Sequence, residues 1–376
     1  MPEHNDLNDL TVVPKNLHSP IKPFRAVVIG LGEGSERIML PAIAAHPNVE
    51  LVAACDLSEN MRQRAAKKWH IPKVYDDPIA MLAAEQPDIT AIATPPLTHY
   101  DLSLLALKHN SHLYCEKPFM PSLPEADRII DLAKQQGLCV GVNSQYYQMP
   151  IYRKAQEILD TGDVGRVYHI DTWQQMYLLP DEEGGWKAAL QPRRVLFEFG
   201  THAIDLICRF FKAYPEAVTA KIAQVRVDVN ADVCINLRLD FGEGRMANIM
   251  FNRMSYAPIR YFEMRLNCEK AAIRTSFGGV ARLDLGWNSE QKKPRFRMSF
   301  TKGGEVRLEK SGNSKHLLNQ PNTAVGDGAI AQFSTFVTAL AQEHTRLSYV
   351  SHAREVLRVL LAGYESAEQG GELIRL

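Results

Sequence analysis

From Phe24 to about Tyr146 the chain alternates between short unbroken apolar runs and stretches whose apolar residues recur every three or four positions. "FRAVVIG", "VELVAACD", "ITAIATP", "HLYCEKP" and "LCVGVNSQY" are of the first kind; "SENMRQRAAKKW", "THYDLSLLALKH" and "LPEADRIIDLAKQQG" are of the second. A strand wetted on one face would alternate apolar and polar residues, so continuous apolar runs predict strands covered on both faces. The third helical stretch follows an i, i+3, i+4, i+7 spacing and closes on Gly137, a residue suited to the backbone just past a helix end. Strands and helices in strict turn predict an α/β domain with a doubly wound parallel sheet.

After one more helix, about Pro150 to Asp160, the period drops to two. "RVYHIDTWQQMY", "AVTAKIAQVRVD", "DVCINLRLDF" and "RMANIMFNRM" read as strands, and "GEG" at Gly242 to Gly244 as a hairpin turn between two of them. The pattern predicts a C-terminal α+β domain with a large, mostly antiparallel open sheet, closed by amphipathic helices near Ala329–Glu343 and His352–Glu368. At 376 residues the chain exceeds one ordinary core. The expected organisation is an N-terminal extension over 1–23, mobile or wrapping a partner, then a dinucleotide-type domain over 24–146 and a substrate and oligomerisation domain over 147–376.

Composition narrows the function classes. The 43 Lys and Arg residues cancel the 43 Asp and Glu residues, leaving no net charge to grip nucleic acid or an anionic membrane. A small neutral or mildly polar ligand is the expectation. No apolar stretch approaches the roughly 18 residues that span a bilayer. The opening "MPEHNDLNDLTVVPKNLHSPIKP" has acids and prolines without an apolar core, unlike a secretory signal, so a cytoplasmic location is expected. Cys55, Cys115, Cys139, Cys208, Cys234 and Cys268 form no C-x-x-C pair, which fits reduced buried thiols better than a disulfide frame or zinc site.

Candidate chemistry begins at "VVIGLGEGSERIML", a strand running into a helix through a near match to G-x-G-x-x-G. Gly30 permits the tight turn, Gly32 beyond Leu31 lets the backbone approach a pyrophosphate, and the helix N-terminus offers unpaired N–H groups to the anion. Ser35 holds the third glycine position, with Gly34 one residue early. A plain strand-to-helix turn would look similar. Asp56, at the end of the second run, is placed to accept hydrogen bonds from ribose hydroxyls and to repel a 2′-phosphate, favouring NAD. NADP stays possible because Arg62 and Arg64 are near, and Asp56 could instead cap the helix starting near Ser58.

"CEKP" ends a strand of the parallel sheet, where ligands bind beyond the carboxyl ends, so Lys117 is expected to point into the crevice. A salt-bridged strand end is the plainer reading. In "RRVLFEFGTHAIDLICRFF" a helix would align Glu198, His202 and Asp205 on one face. That stripe suits proton chemistry. Equally, Glu198 could be a first-turn acid favoured by the helix dipole, with His202 a satisfied buried histidine. A metal site is disfavoured, since one helix supplying all the ligands lacks the usual partner segment.

"ATPPLTHYDLSLLALKHNSHLYCEKPF", followed by "VGVNSQY" and "EFGTHAIDL", resembles in order and spacing the Gfo/Idh/MocA oxidoreductases, the glucose–fructose oxidoreductase and inositol dehydrogenase family. The resemblance runs from Phe24 to the C-terminus. It implies a Rossmann domain and a second domain whose open sheet joins homodimers or homotetramers. It implies that Lys117 and His202 flank the reacting substrate carbon, with Glu198 at the family's catalytic aspartate. Thr94, Pro95, His99 and Glu116 would line the nicotinamide and ribose side, and Asn143 would stand near the nicotinamide. The implied function is NAD(P)-dependent hydride transfer to or from a secondary alcohol or ketone carbon of a sugar, polyol or related cyclic compound. His202, with an ordinary pKa of about 6.5, would move the proton, and Lys117 would hold the oxygen. An NAD-dependent glycosidase with tightly bound cofactor and a non-catalytic NAD-binding regulator are the alternatives.

Departures from the family pattern matter. Ser35 replaces a glycine. Glu198 replaces aspartate and reaches one methylene further, which could make it an orienting group. "NSQYY" lacks an arginine often found there, leaving Tyr146 as a substrate candidate beside Asp205. Arg193 and Arg194 stand where small glycines are common; they could reach a carboxylate, phosphate or nucleotide-sugar pyrophosphate, or be solvated loop charges.

Overall fold

A computed structural model of the protein describes residues 22–177, 193–223, 225, 231–257, 259–278, 281–288, 293–300, 303–341 and 348–376. The N-terminal extension, up to residue 21, lies outside them. Strands β1 (Phe24–Ile29), β2 (Val49–Cys55), β3 (Lys73–Tyr75), β4 (Ile89–Ile92), β5 (His112–Cys115) and β6 (Val140–Val142) form one parallel sheet in the order β3-β2-β1-β4-β5-β6. The order reverses between β1 and β4, and such a switch leaves a crevice beyond the strand ends. The central strands are fully buried, as their unbroken apolar runs demand: Ala26, Val27, Val28, Ile89, Ala91 and Ile92 are each 0% exposed. Edge strand β3, three residues long, is too short to show as a run.

Helices α1 (Leu40–Ala44), α2 (Glu59–Trp69), α3 (Pro78–Glu85), α4 (His99–Lys108) and α5 (Leu123–Gln136) connect these strands. A π-turn over Ser35–Met39 precedes α1. Side chains satisfy first-turn N–H groups: Ser58 accepts from Met61, Asp77 from Ile79 and Ala80, and Ser122 from Glu125. Gly137 closes α5 at φ +66°, as its sequence position predicts.

Beyond α6 (Pro150–Asp160) lie β7 (Val167–Gln175), a π-turn over Leu196–Gly200 and α7 (Thr201–Phe211). Strands β8 (Ala217–Ala223), β9 (Cys234–Asp240), β10 (Met246–Asn252), β11 (Arg260–Cys268) and β12 (Ala272–Phe277) follow. After a separate hairpin of β13 (Ala281–Asn288) and β14 (Lys293–Phe300) come β15 (Gly304–Lys310), β16 (Asn313–Gln320), α8 (Ala324–Ala341), α9 (Ser348–Glu368) and β17 (Ile374–Arg375). Nine strands make the second sheet, in the order β16-β15-β12-β11-β7-β10-β9-β8-β17. Its pairs are antiparallel except β7 with β10. Gly242, Glu243 and Gly244, all at positive φ, turn β9 into β10. One face is roofed by α6, α7 and α9. On the other, the register aligns Arg238, Asn248, Asp171, Arg265 and Arg274 in a row, with Met246 and Met250 exposed nearby.

The roof of the first sheet comes partly from the far end of the chain. Phe333 and Phe336 of α8 each lie 5.0 Å from the Tyr114 ring of β5. A Cβ on Gly141 would stand 2.5 Å from the Phe336 ring, so only glycine lets α8 settle there. On α9, Arg354 holds Asp127 of α5 through two bonds of 2.8 and 3.1 Å. All six cysteines are free thiols, five of them buried.

Candidate active site

The glycine turn after β1 is shaped for close approach. Gly30 has φ +93°, and a Cβ there would lie 2.7 Å from the backbone oxygen of Ala93, which cannot move aside. Cβ atoms on Gly32 and Gly34 would meet nothing within 4 Å, so the first turn of the helix faces open space. Asp56 braces this turn: Oδ2 accepts from Leu31 N–H at 2.7 Å and Oδ1 from Ser58 N–H at 2.8 Å. The helix cap itself is Ser58, and a carboxylate keeps further lone pairs for hydroxyl donors. Arg62 donates to the backbone oxygens of Asp56 and Leu57, while Arg64 joins Lys68 on Glu36. Ser35 is 1% exposed and packs at the third glycine position. An open cradle, helix-end N–H groups and an acid at the neighbouring strand end fit a dinucleotide.

At the ends of β4 and β5 the predicted residues form one bonded unit. His99 is fully buried, with Nδ1 3.0 Å from Pro118 O and Nε2 3.0 Å from Thr94 O; the neutral ring donates to one of these carbonyls and packs against the other, between the Thr94–Pro95 turn and the Lys117–Pro118 segment. Thr98 donates to the Thr94 hydroxyl at 2.7 Å. Glu116 accepts from Asn143 Nδ2 at 2.7 Å, and Tyr114 donates its hydroxyl to Asn143 Oδ1 at 3.0 Å. Burial pushes the Glu116 carboxyl up from its ordinary value. Lys117 meets Glu116 through its backbone N–H; its Nζ donates instead to the Glu198 carbonyl at 3.3 Å, linking the end of β5 to the turn before α7.

Asp232 holds the turn before α7 in place. Its Oδ1 accepts from the N–H groups of Arg194 (2.8 Å) and Val195 (2.5 Å), and its Oδ2 from Leu196 N–H and the Tyr364 hydroxyl, both at 2.8 Å. One buried carboxylate thus satisfies donors that the start of the Leu196–Gly200 turn leaves unpaired. From that turn α7 presents His202, 4% exposed, whose ring stacks on Tyr146 with centroids 3.7 Å and planes 5° apart. Burial, and then the charge of Lys117, hold the imidazole pKa well below its ordinary value. The expectation of a histidine titrating near neutrality is therefore replaced by one that rests neutral. Tyr146 meets Phe262 and Phe277 edge-on and shares a hydrogen bond with Tyr261.

Lys117, Glu198, His202 and Tyr146 come together, and Arg194 reaches them through Glu198; two other expected residues, Asp205 and Arg193, do not join them. The single helical stripe is broken because Glu198 lies in a π-turn, whose wider winding offsets it from Asp205. Asp205 accepts from Arg209 Nε at 3.1 Å and His352 Nε2 at 2.8 Å, and the Tyr214 hydroxyl lies 2.9 Å from the other His352 nitrogen. Burial works against the Asp205 charge, but Arg209 and His352 hold its pKa low, as in a structural ion network. Arg193 pairs with Glu368 and lies over the Tyr364 ring at 5.2 Å. Arg194 is buried, its Nε 3.7 Å from Glu198 Oε2. Asp232, Tyr114 and Tyr261 were missed. Each stands in an ordinary strand or loop pattern, and only the tyrosine hydroxyl in "HLYCEKP", inside a parallel strand, offered a local signal.

Comparison with known proteins bears on the fold. Residues 24–144 match the description "Oxidoreductase family, NAD-binding Rossmann fold", and residues 152–274 match "GFO/IDH/MocA C-terminal domain". The chain is 30% identical over 146 residues to D-glucoside 3-dehydrogenase of Escherichia coli, covering 39% of this chain and 42% of that protein. It is 27% identical over 142 residues to scyllo-inositol 2-dehydrogenase (NAD(+)) of Bacillus subtilis, covering 38% and 42%. The first curated relatives are matched over 42% to 62% of their own lengths. An oxidoreductase of Agrobacterium radiobacter, solved with NAD+, L-tartaric acid and magnesium, superposes with TM-score 0.77 at 16% identity over 94% of this chain and 98% of that one. This likeness shows the shared fold.

Proposed function

The chain belongs to the Gfo/Idh/MocA oxidoreductase family, and we propose that it transfers hydride between NAD(P) and a secondary alcohol or ketone carbon of a sugar, polyol or related cyclic compound. One observation carries the reading: the Lys117 ammonium of the first domain reaches the Glu198 carbonyl, in the turn that leads to the buried His202 imidazole of the second. The bound nicotinamide supplies the hydride acceptor or donor. The turn from Gly30 through Leu31 and Gly32 to Ser35 cradles the pyrophosphate, and Asp56 takes the ribose hydroxyls and favours NAD. Thr94, Pro95, Glu116 and Asn143 border the nicotinamide side, held in register by the His99 clamp.

Oxidising an alcohol carbon takes a proton from its oxygen as hydride leaves. A neutral imidazole can accept that proton, and the depressed pKa keeps His202 in the accepting form at neutral pH. Lys117 donates a hydrogen bond to the same oxygen and stabilises its developing negative charge. Tyr146 fixes the imidazole plane by stacking, and Glu198 orients the turn beside Arg194. The relatives' names, dehydrogenases of a glucoside and of an inositol, favour this reading over a glycosidase or a regulator.

No described helix is long and apolar enough to cross a membrane, and we extend the reading to a cytoplasmic enzyme. We assign the outward face of the nine-stranded sheet, where Met246 and Met250 lie exposed, to a homodimer or homotetramer contact. Fluorescence titration with NADH and NADPH, followed by turnover on a sugar and polyol panel in both directions, tests the activity. Failure to bind either cofactor, or binding without turnover, would refute it.

A further inference from the structure

Strands β13 and β14 stand apart from both large sheets and form a two-stranded sheet of their own. Phe277 of β12 pairs with Gly304 of β15, and four residues further along each strand Ala281 pairs with Phe300, so the hairpin keeps the count of the ladder it grows from. Its root is tightly held. The Gly278 N–H donates to the Gly303 carbonyl at 3.4 Å. A Cβ on Gly278 would stand 2.2 Å from Tyr261 Cβ, and one on Gly303 2.2 Å from the Pro321 oxygen.

The register sorts the hairpin's residues onto two faces. Leu283 pairs with Met298, Leu285 with Phe296 and Trp287 with Pro294, while Arg282 pairs with Ser299, Asp284 with Arg297 and Asn288 with Lys293. Successive positions of a strand alternate between faces, so every pair on one face is apolar and the other face takes the charges. Strict alternation of this kind marks a strand covered on one side. An isolated two-stranded hairpin is marginal in water, so the apolar face needs a cover from outside its own sheet. Comparable apolar faces lie in the nine-stranded sheet under α6, α7 and α9, and β13 and β14 do not join that sheet.

We infer that β13–β14 is a docking arm whose apolar face meets the same face of a second copy of this chain across a two-fold axis. A face apolar throughout offers no polar group to select an unlike partner, whereas a copy brings a face of equal length, width and chemistry. Eight residues in each strand, at about 3.3 Å a residue, make the ribbon about 26 Å long, and two such ribbons stack about 10 Å apart. Aromatic residues bury about 150 Å² or more apiece, so Trp287, Phe296 and Phe300 of two arms account for about 900 Å². Leu283, Leu285 and Met298 bring the total to the roughly 1,200 Å² at which specific interfaces begin.

The inference stands apart from the dehydrogenase reading and is tested without substrate. Leu285→Lys with Phe296→Glu puts opposite charges on one cross-strand pair, which keeps the strands attracted to each other while making the face polar. A second variant replaces residues 279–302 by Asn-Gly, a turn suited to closing the ladder at the bonded Gly278 and Gly303. Sedimentation over a concentration series gives the association state, and circular dichroism reports whether the body stays folded. Parent should associate. Both variants should fold with the number of copies per particle halved, whatever the outward sheet face contributes, and with the association Kd raised at least about 100-fold. Arg295→Gln with Arg297→Gln, on the other face, should associate like parent. A monomeric parent, or association unchanged in either folded variant, overturns the arm. A second variant that fails to fold also overturns it, since a docking arm is dispensable to its own body. Binding of parent to anionic vesicles that the variants lose, with association unchanged, would assign the face to a lipid surface instead.

Discussion

Replacing Asp232 with asparagine should uncouple the two halves of the site while leaving cofactor binding almost intact. The carboxylate accepts four hydrogen bonds, from the N–H groups of Arg194, Val195 and Leu196 and from the Tyr364 hydroxyl. An amide has one oxygen. Whichever way it flips, its NH2 group faces two donors, and two charge-assisted bonds worth about 1.5–3 kcal/mol each are lost. Relief of the buried charge offsets part of this, since burial already pushes the Asp232 carboxyl up from its ordinary value. Rotation of the Tyr364 hydroxyl can recover another part. The net cost is about 2–4 kcal/mol, a large share of the 5–15 kcal/mol typical of a folded chain.

Function should suffer more specifically than stability. The freed N–H groups begin the turn that carries Glu198, whose carbonyl receives Lys117 Nζ, and α7 with His202 follows directly. A misplacement of about 1 Å at reacting groups costs on the order of 100-fold in rate. Urea denaturation followed by circular dichroism gives the stability change, and steady-state kinetics with NADH titration gives the split. The expected result is a kcat lowered about 10- to 100-fold with NADH affinity within about twofold. A stability loss below about 1 kcal/mol together with unchanged kcat would mean the four bonds do not hold the site, and the reasoning fails.

Lys117→Met should lower turnover about 100- to 1,000-fold while sparing NADH affinity, as loss of one oxyanion donor does; substantial turnover in that variant removes Lys117 from the chemistry. Tyr114→Phe removes the hydroxyl that donates to Asn143 Oδ1 and so loosens the grip of Asn143 on Glu116. NADH affinity should fall about three- to tenfold with the substrate KM steady, and equal losses in both would point to general destabilisation. Acid should destabilise the fold through buried histidines: His46, His99, His202 and His352 are all held below the ordinary pKa, chiefly by burial. Below about pH 6.5 the unfolded chain binds protons that these rings refuse, so their stabilisation is whole above that pH and is lost on acidification, by up to about 1.4 kcal/mol per pH unit for each ring. Glu116 and Asp232, both pushed up by burial, work the other way at lower pH. Urea midpoints at pH 7.5 and 5.5 check the sign, and a higher midpoint at the lower pH would refute it.

What the sequence disclosed follows from how local each signal is. Gly30 was readable because a positive φ against the Ala93 backbone leaves no other residue possible, and the resulting G-x-G is written in adjacent letters. Five strands of the first sheet were readable because burial on both faces removes alternation; β3 was not, since three residues at an edge carry too little pattern. Lys117 and His202 were legible as separate motifs, but nothing in either predicted that Nζ would land on a carbonyl rather than on the adjacent Glu116 carboxylate. The stripe of Glu198, His202 and Asp205 misled because it assumed an α-helical winding where the chain makes a π-turn. Asp232 was invisible for a general reason. A carboxylate that works by accepting distant N–H groups needs no particular neighbours in the chain.

The same distinction between chain order and energetics applies to the domains. A boundary near residue 146 separates two sequence patterns, and the matched family regions end at residue 274. Yet Phe333, Phe336, Val337 and Leu340 of α8 pack in one cluster with Leu31, Met39, Leu40 and Tyr114 of the first domain. Burying each such phenylalanine contributes about 1.5–3 kcal/mol, so a chain ending at residue 274 would leave one face of the parallel sheet wet and its stability short. The loss would reach the residues proposed to hold the cofactor directly. Tyr114, which α8 clamps between two rings, is the donor that orients Asn143 toward Glu116. Helix α8 thus belongs to the first sheet by packing though not by its place in the sequence, while α9 also roofs the second sheet.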